Sequence, residues 1–284
     1  MQQRQCNSAC KCDLHTHTYF SDGFYGPEHI IQLSKAFGVT AISITDHNCV
    51  DGVELARTVA EKQGIELICG AEINCEATEL LAYFFEPSYE PLLRILDSNR
   101  QSINDIVMQK IYWLMDNGYK LSVDDVLKHT GPTQNLMPTH LAVELVRLGY
   151  SKTIFDAFSS IIKKIKINYK PKRASTKKVI SEITNAHGVA VLPHPWLLAQ
   201  DQKDNLEMYL AKLKGRGLSG VETTGPHKKD DEKLIRQVSG FAKEEGLIEC
   251  GGSDFHSLDI LPENKIGDFT VPYACVEELK KRII

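Results

Sequence analysis

The sequence predicts an α/β fold: a parallel sheet, most simply closed as a barrel, with helices around it and a helical insertion. Three observations carry this. Seven short apolar runs alternate with segments of helical periodicity over most of the chain. From about residue 88 to about residue 168 the pattern is helical without interruption. The 284 residues, 42% of them hydrophobic, suit one large domain or a domain with a sizeable insertion.

The elements follow in order. "CDLHTHTYFSDG" (12–23) reads as a strand and its exit turn, with His15 and His17 on one face because strand side chains alternate. "PEHIIQLSKAFG" is a helix: Ile30, Ile31, Leu33 and Phe37 recur at helical spacing between Pro27 and Gly38. "VTAISITDHN" is a buried strand, followed by a helix near 51–63 and the strands "IELICGAEIN" and "ELLAYFF". After the helical stretch the rhythm returns. A helix over 175–186 leads to "GVAVLPHP", one near 204–214 to "LSGVETT", and one near 229–245 to "LIECGGSDFH". The expected division is a barrel from 12–87 and 169–284, with 88–168 as an insertion covering the site. Lys163, Lys164 and Lys166 are most simply a solvated helix face.

Composition excludes several function classes. A net charge of −4 argues against a broad nucleic-acid or membrane surface, though not against a small basic pocket. No apolar run reaches the length of a membrane span, and "MQQRQCNSAC" lacks a signal-peptide core. The eight cysteines are dispersed, several inside apolar strands, so reduced thiols and a cytoplasmic location are expected. Cys6, Cys10 and Cys12 form the one cysteine group that could bind a soft metal.

Parallel α/β folds place their active sites at the carboxyl ends of the strands. Those ends carry His15 and His17, Asp46 and His47, Glu72, His194, Glu222, and Asp254 with His256. Any one of these is most simply a structural polar group. Imidazoles and carboxylates at nearly every strand end are the donor set of a multinuclear metal cluster.

"DLHTHTYFSDG", "ISITDHN", "ICGAEIN", "AVLPHP" and "GGSDFH" resemble, in order and spacing, the successive motifs of the PHP (polymerase and histidinol phosphatase) family. The resemblance runs from about 12 to about 272 and is nearest to the stand-alone phosphoesterases acting on nucleotide phosphates. It implies a distorted (β/α)7 TIM-like barrel with two or three divalent ions of manganese, zinc or iron at its C-terminal face. By motif, His15, His17, Glu72 and Asp254 would hold one ion, and Asp22, His47 and His256 a second. Glu72 would bridge to a third that His194 also ligates, which makes Asp254, Glu72 and His194 the central catalytic positions.

The chain departs from the family pattern twice. Relatives often carry a histidine on the fourth strand where "TELLAY" has Glu79; a carboxylate there can ligate the third ion or be a surface group. Relatives also have Arg-Pro-His opening a helix of the insertion. In "MPTHLA" His140 matches the histidine and the arginine is absent. Further substrate contacts fall on Lys172 of "YKPKR" and on His227 and Lys228 of "TTGPHKK".

The expected chemistry is phosphomonoester hydrolysis, in which clustered cations supply hydroxide near neutral pH and neutralise phosphoryl charge. The substrate class is a nucleotide or nucleoside 3',5'-bisphosphate, with short oligonucleotides also in view. An amidohydrolase is the competing enzyme, but those barrels use a fourth-strand lysine that this chain lacks. A non-catalytic metal-binding domain is the competitor of another class, and the near-complete ligand set argues against it. Oligomeric state has no signature in the sequence.

Overall fold

The computed structural model describes residues 10–227, 229–259 and 264–283. In the barrel's first half, β1 (Lys11–Asp13), α1 (Pro27–Ala36), β2 (Val39–Ile44), α2 (Asp51–Gln63), β3 (Glu66–Asn74) and β4 (Glu79–Tyr83) follow one another. The helical stretch then contains α3 (Glu90–Asp116), α4 (Val123–Leu127), α5 (Pro138–Arg147) and α6 (Ile154–Ser160). The second half has α7 (Thr176–Asn185), β5 (Val189–Leu192), α8 (Gln200–Asp204), α9 (Leu206–Lys214), β6 (Gly220–Thr224), α10 (Glu232–Glu245) and β7 (Ile248–Gly251). It ends in β8 (Val271–Pro272) and α11 (Tyr273–Lys280), which the sequence reading missed.

The strand order is β7-β6-β5-β4-β3-β2-β1-β8. The expectation of an all-parallel sheet is corrected at two places. β4 runs antiparallel to both β3 and β5, and β8 runs antiparallel to β1. The cause at β4 is the short connection 75–78, which can close a hairpin but cannot carry a crossover. One consequence governs the site: the start of β4, not its end, lies at the mouth where the parallel strands finish.

The barrel closes beyond the regular ladders. Leu14 N–H donates to Gly251 O (3.3 Å), Asp254 N–H to His15 O (2.9 Å) and His17 N–H to Phe255 O (2.9 Å). Strand alternation separates two packed faces. Cys12, Leu14, Leu81, Tyr83, Val191 and Cys250 fill the interior, whereas Ile73, Leu80, Ala82 and Val221 pack outward against α7, α9 and α10. Helices α3, α5 and α6 bury a separate cluster that includes Val107, Ile111, Leu141 and Leu145. Among the described residues, no helix is long and apolar enough to cross a membrane. Cys12 is fully buried in the interior and is therefore a core thiol; Cys6 lies outside the described residues.

Candidate metal centre

The exits of β1, β2, β3, β5 and β7 and the start of β4 meet at one mouth, and the ligand-type side chains meet with them. His15 Nε2 lies 3.2 Å from Glu72 Oε2 and 3.5 Å from Asp254 Oδ1. His17 Nε2 lies 3.4 Å and 3.1 Å from the same two oxygens. Asp22 Oδ1 is 3.3 Å from His256 Nε2, 3.8 Å from His47 Nε2 and 4.0 Å from His17 Nδ1. Glu72 spans the cluster, with Oε2 3.3 Å from His47 Nδ1 and Oε1 2.7 Å from His194 Nε2. Glu79 stands beside these, Oε2 3.6 Å from His194 Nε2 and Oε1 3.8 Å from His47 Nδ1.

All nine sequence-predicted ligands are thereby in one place, and their donor atoms form four overlapping groups, each within 4.8 Å. No cysteine enters these groups. The set fits divalent cations on two further grounds. His17 Nε2, Asp22 Oδ1 and His47 Nδ1 are buried beside charged neighbours yet make no aligned hydrogen bond among the described residues, an arrangement that costs free energy unless something binds them. The donors are imidazole and carboxylate, which suit zinc, iron and manganese.

Burial and neighbouring charges compete over the protons of the cluster. Burial holds His17 down to about 4, with the His256 charge acting in the same sense. Burial also opposes charge on His194 and His256, yet their carboxylate neighbours prevail. Glu72 draws His194 up to about 9, and Asp22 with Asp254 draws His256 up to about 10. Burial works against ionisation of Asp22, Glu72 and Asp254 as well, and the surrounding imidazoles still hold all three below the usual carboxylate range. Glu79 is pushed up, by burial and then by the Glu72 charge. Protons on His194 and His256 thus occupy positions that a cation can take.

The backbone is bent to make this fit. His194 (φ 28°) and Asp254 (φ 50°) are non-glycine residues at positive φ, as is Asn48 (φ 51°) behind them. Gly252 is required by contact: a Cβ there would lie 2.3 Å from His15 N, on the line where β7 closes against β1.

A supporting layer stands behind the ligands, and in the sequence two of its members appear only among the strand-end donors. Glu222 and Asp46 belong to it. Glu222 Oε1 is 3.1 Å from His15 Nδ1 and Oε2 accepts from His194 N–H at 2.7 Å, so it orients two histidines. Asp46 accepts from Thr18 N–H (2.7 Å), Thr18 Oγ1 (2.6 Å) and Ser21 Oγ (2.6 Å), which shapes the turn carrying Asp22. Thr139 of α5 donates to Asp22 Oδ2 at 2.8 Å and ties the helical stretch to the cluster.

The predicted substrate contacts divide. His140 is fully buried; its Nδ1 accepts from Met137 N–H (3.1 Å) and its Nε2 has no partner among the described residues. His227 packs against Trp196 with ring centroids 5.4 Å apart. A cavity of about 440 Å³ adjoins Glu79 and His194, and the cation lining it is Arg173. Lys172 instead lines a separate cavity with Arg94, Ile95 and Lys178. Lys228 lies outside the described residues.

Comparison with known proteins agrees with this geometry. A family model described as PHP domain matches residues 13–187. The chain is 26% identical to a 3',5'-nucleoside bisphosphate phosphatase of Chromobacterium violaceum, over 86% of this chain and 87% of that protein. It is 25% identical to a 5'-3' exoribonuclease of Haemophilus influenzae, over 87% and 90% respectively. A solved structure from Bifidobacterium adolescentis, described as a metal-dependent phosphoesterase, superposes with a TM-score of 0.86 at 25% identity, covering 97% of each chain.

Proposed function

The chain belongs to the PHP domain family and is a metal-dependent phosphoesterase, and on that premise we propose that it hydrolyses a nucleotide or nucleoside 3',5'-bisphosphate. The observation that carries the reading is the convergence of nine imidazole and carboxylate side chains, three of them with buried atoms that make no aligned hydrogen bond, beside a cavity of nucleotide size. Similarity to the bisphosphate phosphatase supports the substrate class, and similarity to the exoribonuclease keeps short RNA as the second substrate to test.

In this proposal His15, His17, Glu72 and Asp254 hold one cation, Asp22, His47 and His256 a second, and Glu72, His194 and Glu79 a third. Manganese, zinc and iron all suit the donors. When bound, such ions supply Lewis acidity, lowering the pKa of water and neutralising phosphoryl charge. The chain's own groups do the rest. Glu222 keeps His15 turned so that Nε2 faces the cluster. Arg173 lines the neighbouring cavity and would meet an outer phosphate oxygen, with His227 kept as a further substrate contact; His140 is fully buried and Lys172 lines the separate cavity, so neither is given that role. The insertion limits access to the mouth, reaching it through Thr139 on Asp22 and through Asn135, whose Nδ2 donates to Phe20 O. A reducing, cytoplasmic setting belongs to the same proposal, and the burial of Cys49, Cys75, Cys250 and Cys275 among apolar side chains agrees with it.

The test is phosphate release from a panel of nucleoside monophosphates, bisphosphates, sugar phosphates and short RNAs, with manganese, zinc or iron supplied. Preferential release from bisphosphates is expected. Preference for sugar phosphates, or release from none of the panel with any metal, overturns the nucleotide reading.

A further inference from the structure

Glu79 is reached by a run of three buried amides that begins in the helical insertion. Asn99 on α3 donates from Nδ2 to Asn48 Oδ1 (2.9 Å) and to the Asn74 carbonyl (2.8 Å). Asn48 donates from Nδ2 to Asn74 Oδ1 (2.6 Å) and accepts at Oδ1 from Asn74 N–H (3.1 Å). Asn74 donates from Nδ2 to Glu79 Oε1 (2.5 Å), its cross-strand partner in the β3–β4 register. All three asparagines are buried.

The direction of every amide in this run is fixed by main-chain groups and by the carboxylate at its end, which agree. An ionised carboxylate only accepts, so Asn74 must turn its NH2 group to Glu79 and its oxygen to Asn48. Asn48 must then offer its own NH2 group and keep its oxygen for Asn74 N–H and Asn99. The main chain fixes the same directions: the Asn74 carbonyl can only accept from Asn99 Nδ2, and Asn74 N–H can only donate to Asn48 Oδ1. The run therefore presents a donor to Glu79 Oε1 and takes up one of its two oxygens. The other, Oε2, faces His194 Nε2 at 3.6 Å.

We propose that Asn74, backed by Asn48 and Asn99, is a positioning residue that presents Glu79 Oε2 to the third cation site and so sets that site's affinity from the insertion. The inference rests on the reading of Glu79 as a ligand. Buried amides of this kind elsewhere do no more than satisfy one another. Here they converge on a carboxylate that stands in the cluster of ligand-type side chains. A carboxylate needs a donor to select one of its orientations, and fixing a ligand's orientation is how supporting hydrogen bonds tune metal affinity. The added oxygen favours manganese over zinc at that site.

The experiment is manganese titration of chelator-stripped protein, following the free-ion signal by electron paramagnetic resonance, for wild type, N74A, E79Q and the double variant. Expected is a loss of roughly tenfold to a hundredfold in affinity at one site in each single variant, the remaining sites unchanged. The double variant should be no weaker than E79Q alone, because the amide acts through the carboxylate. N74A affinity within about twofold of wild type, or additive losses in the double variant, overturns the proposal. Unchanged binding in E79Q removes Glu79 from the ligands and the inference with it, while phosphate release still judges the phosphoesterase reading separately. Should N74A fail to fold by circular dichroism, N99A tests the same run from its far end: a smaller loss at that one site supports the proposal, and none refutes it.

Discussion

Glu222 stands behind His15, with Oε1 3.1 Å from Nδ1, and so decides which imidazole nitrogen faces the cluster. A carboxylate there holds the proton on Nδ1 and leaves the Nε2 lone pair to a cation. Its second oxygen takes His194 N–H and helps hold that residue at φ 28°. Glu222→Gln is expected to weaken metal binding about tenfold to a hundredfold while the fold persists. Metal content after dialysis at graded free-metal concentrations measures it. Unchanged content would mean that His15 is oriented by packing alone.

Asp254 Oδ1 lies within 3.5 Å of both His15 Nε2 and His17 Nε2. Asp254→Asn keeps the volume and removes the charge that a cation would meet. We expect activity to fall by at least about a thousandfold, ~4 kcal/mol of barrier, with an unchanged circular dichroism spectrum. A rate within about tenfold of wild type would take Asp254 out of the site.

The motifs were legible because they are local: a strand's alternation puts His15 and His17 on one face, and each strand end announces its own donor. What the sequence could not convey depends on how strands and loops run in space. β4 is antiparallel, so Glu79 reaches the mouth from the start of a strand; the family resemblance pointed to this position, but strand ends alone did not. Glu222 and Asp46 share a residue type with the ligands, and only contact reveals them as supports. Lys172 and Arg173 are chain neighbours facing different cavities, a choice set by the backbone of an irregular segment. The asparagine run joins β3, α3 and the exit of β2, positions with no periodic relation in the chain.

The imidazoles give a proton signature to metal loading. His194 and His256, raised to about 9 and about 10, are cationic in the metal-free protein at pH 7.5. A metal ligand must be neutral, so loading expels their protons. We expect release of roughly two protons or more per chain at pH 7.5, and affinity that weakens as pH falls. Calorimetric titration in buffers of different ionisation enthalpy measures the release. Heats independent of buffer would show that these two imidazoles are not displaced.

The closure of the barrel gives the last prediction. An ideal Cβ on Gly252 lies 2.3 Å from His15 N and 2.5 Å from His15 Cβ, atoms that cannot swing aside as a side-chain tip would. Gly252→Ala must therefore push the exit of β7 away from β1, and with it Asp254 and His256 away from His15 and His17. Overpacking of this kind costs about 1–3 kcal/mol, a fall of several degrees in melting temperature for a chain of this size. Metal affinity should fall as well, because the donors that separate belong to two of the four groups. Gly240 in α10 is the control: a Cβ there meets nothing within 4 Å, and alanine should leave metal binding intact and raise stability by about 0.5–1 kcal/mol. Thermal melts and metal titrations of the two variants side by side decide it. Equal behaviour of the two alanines would show that the β7–β1 contact is slack and does not hold the cluster together.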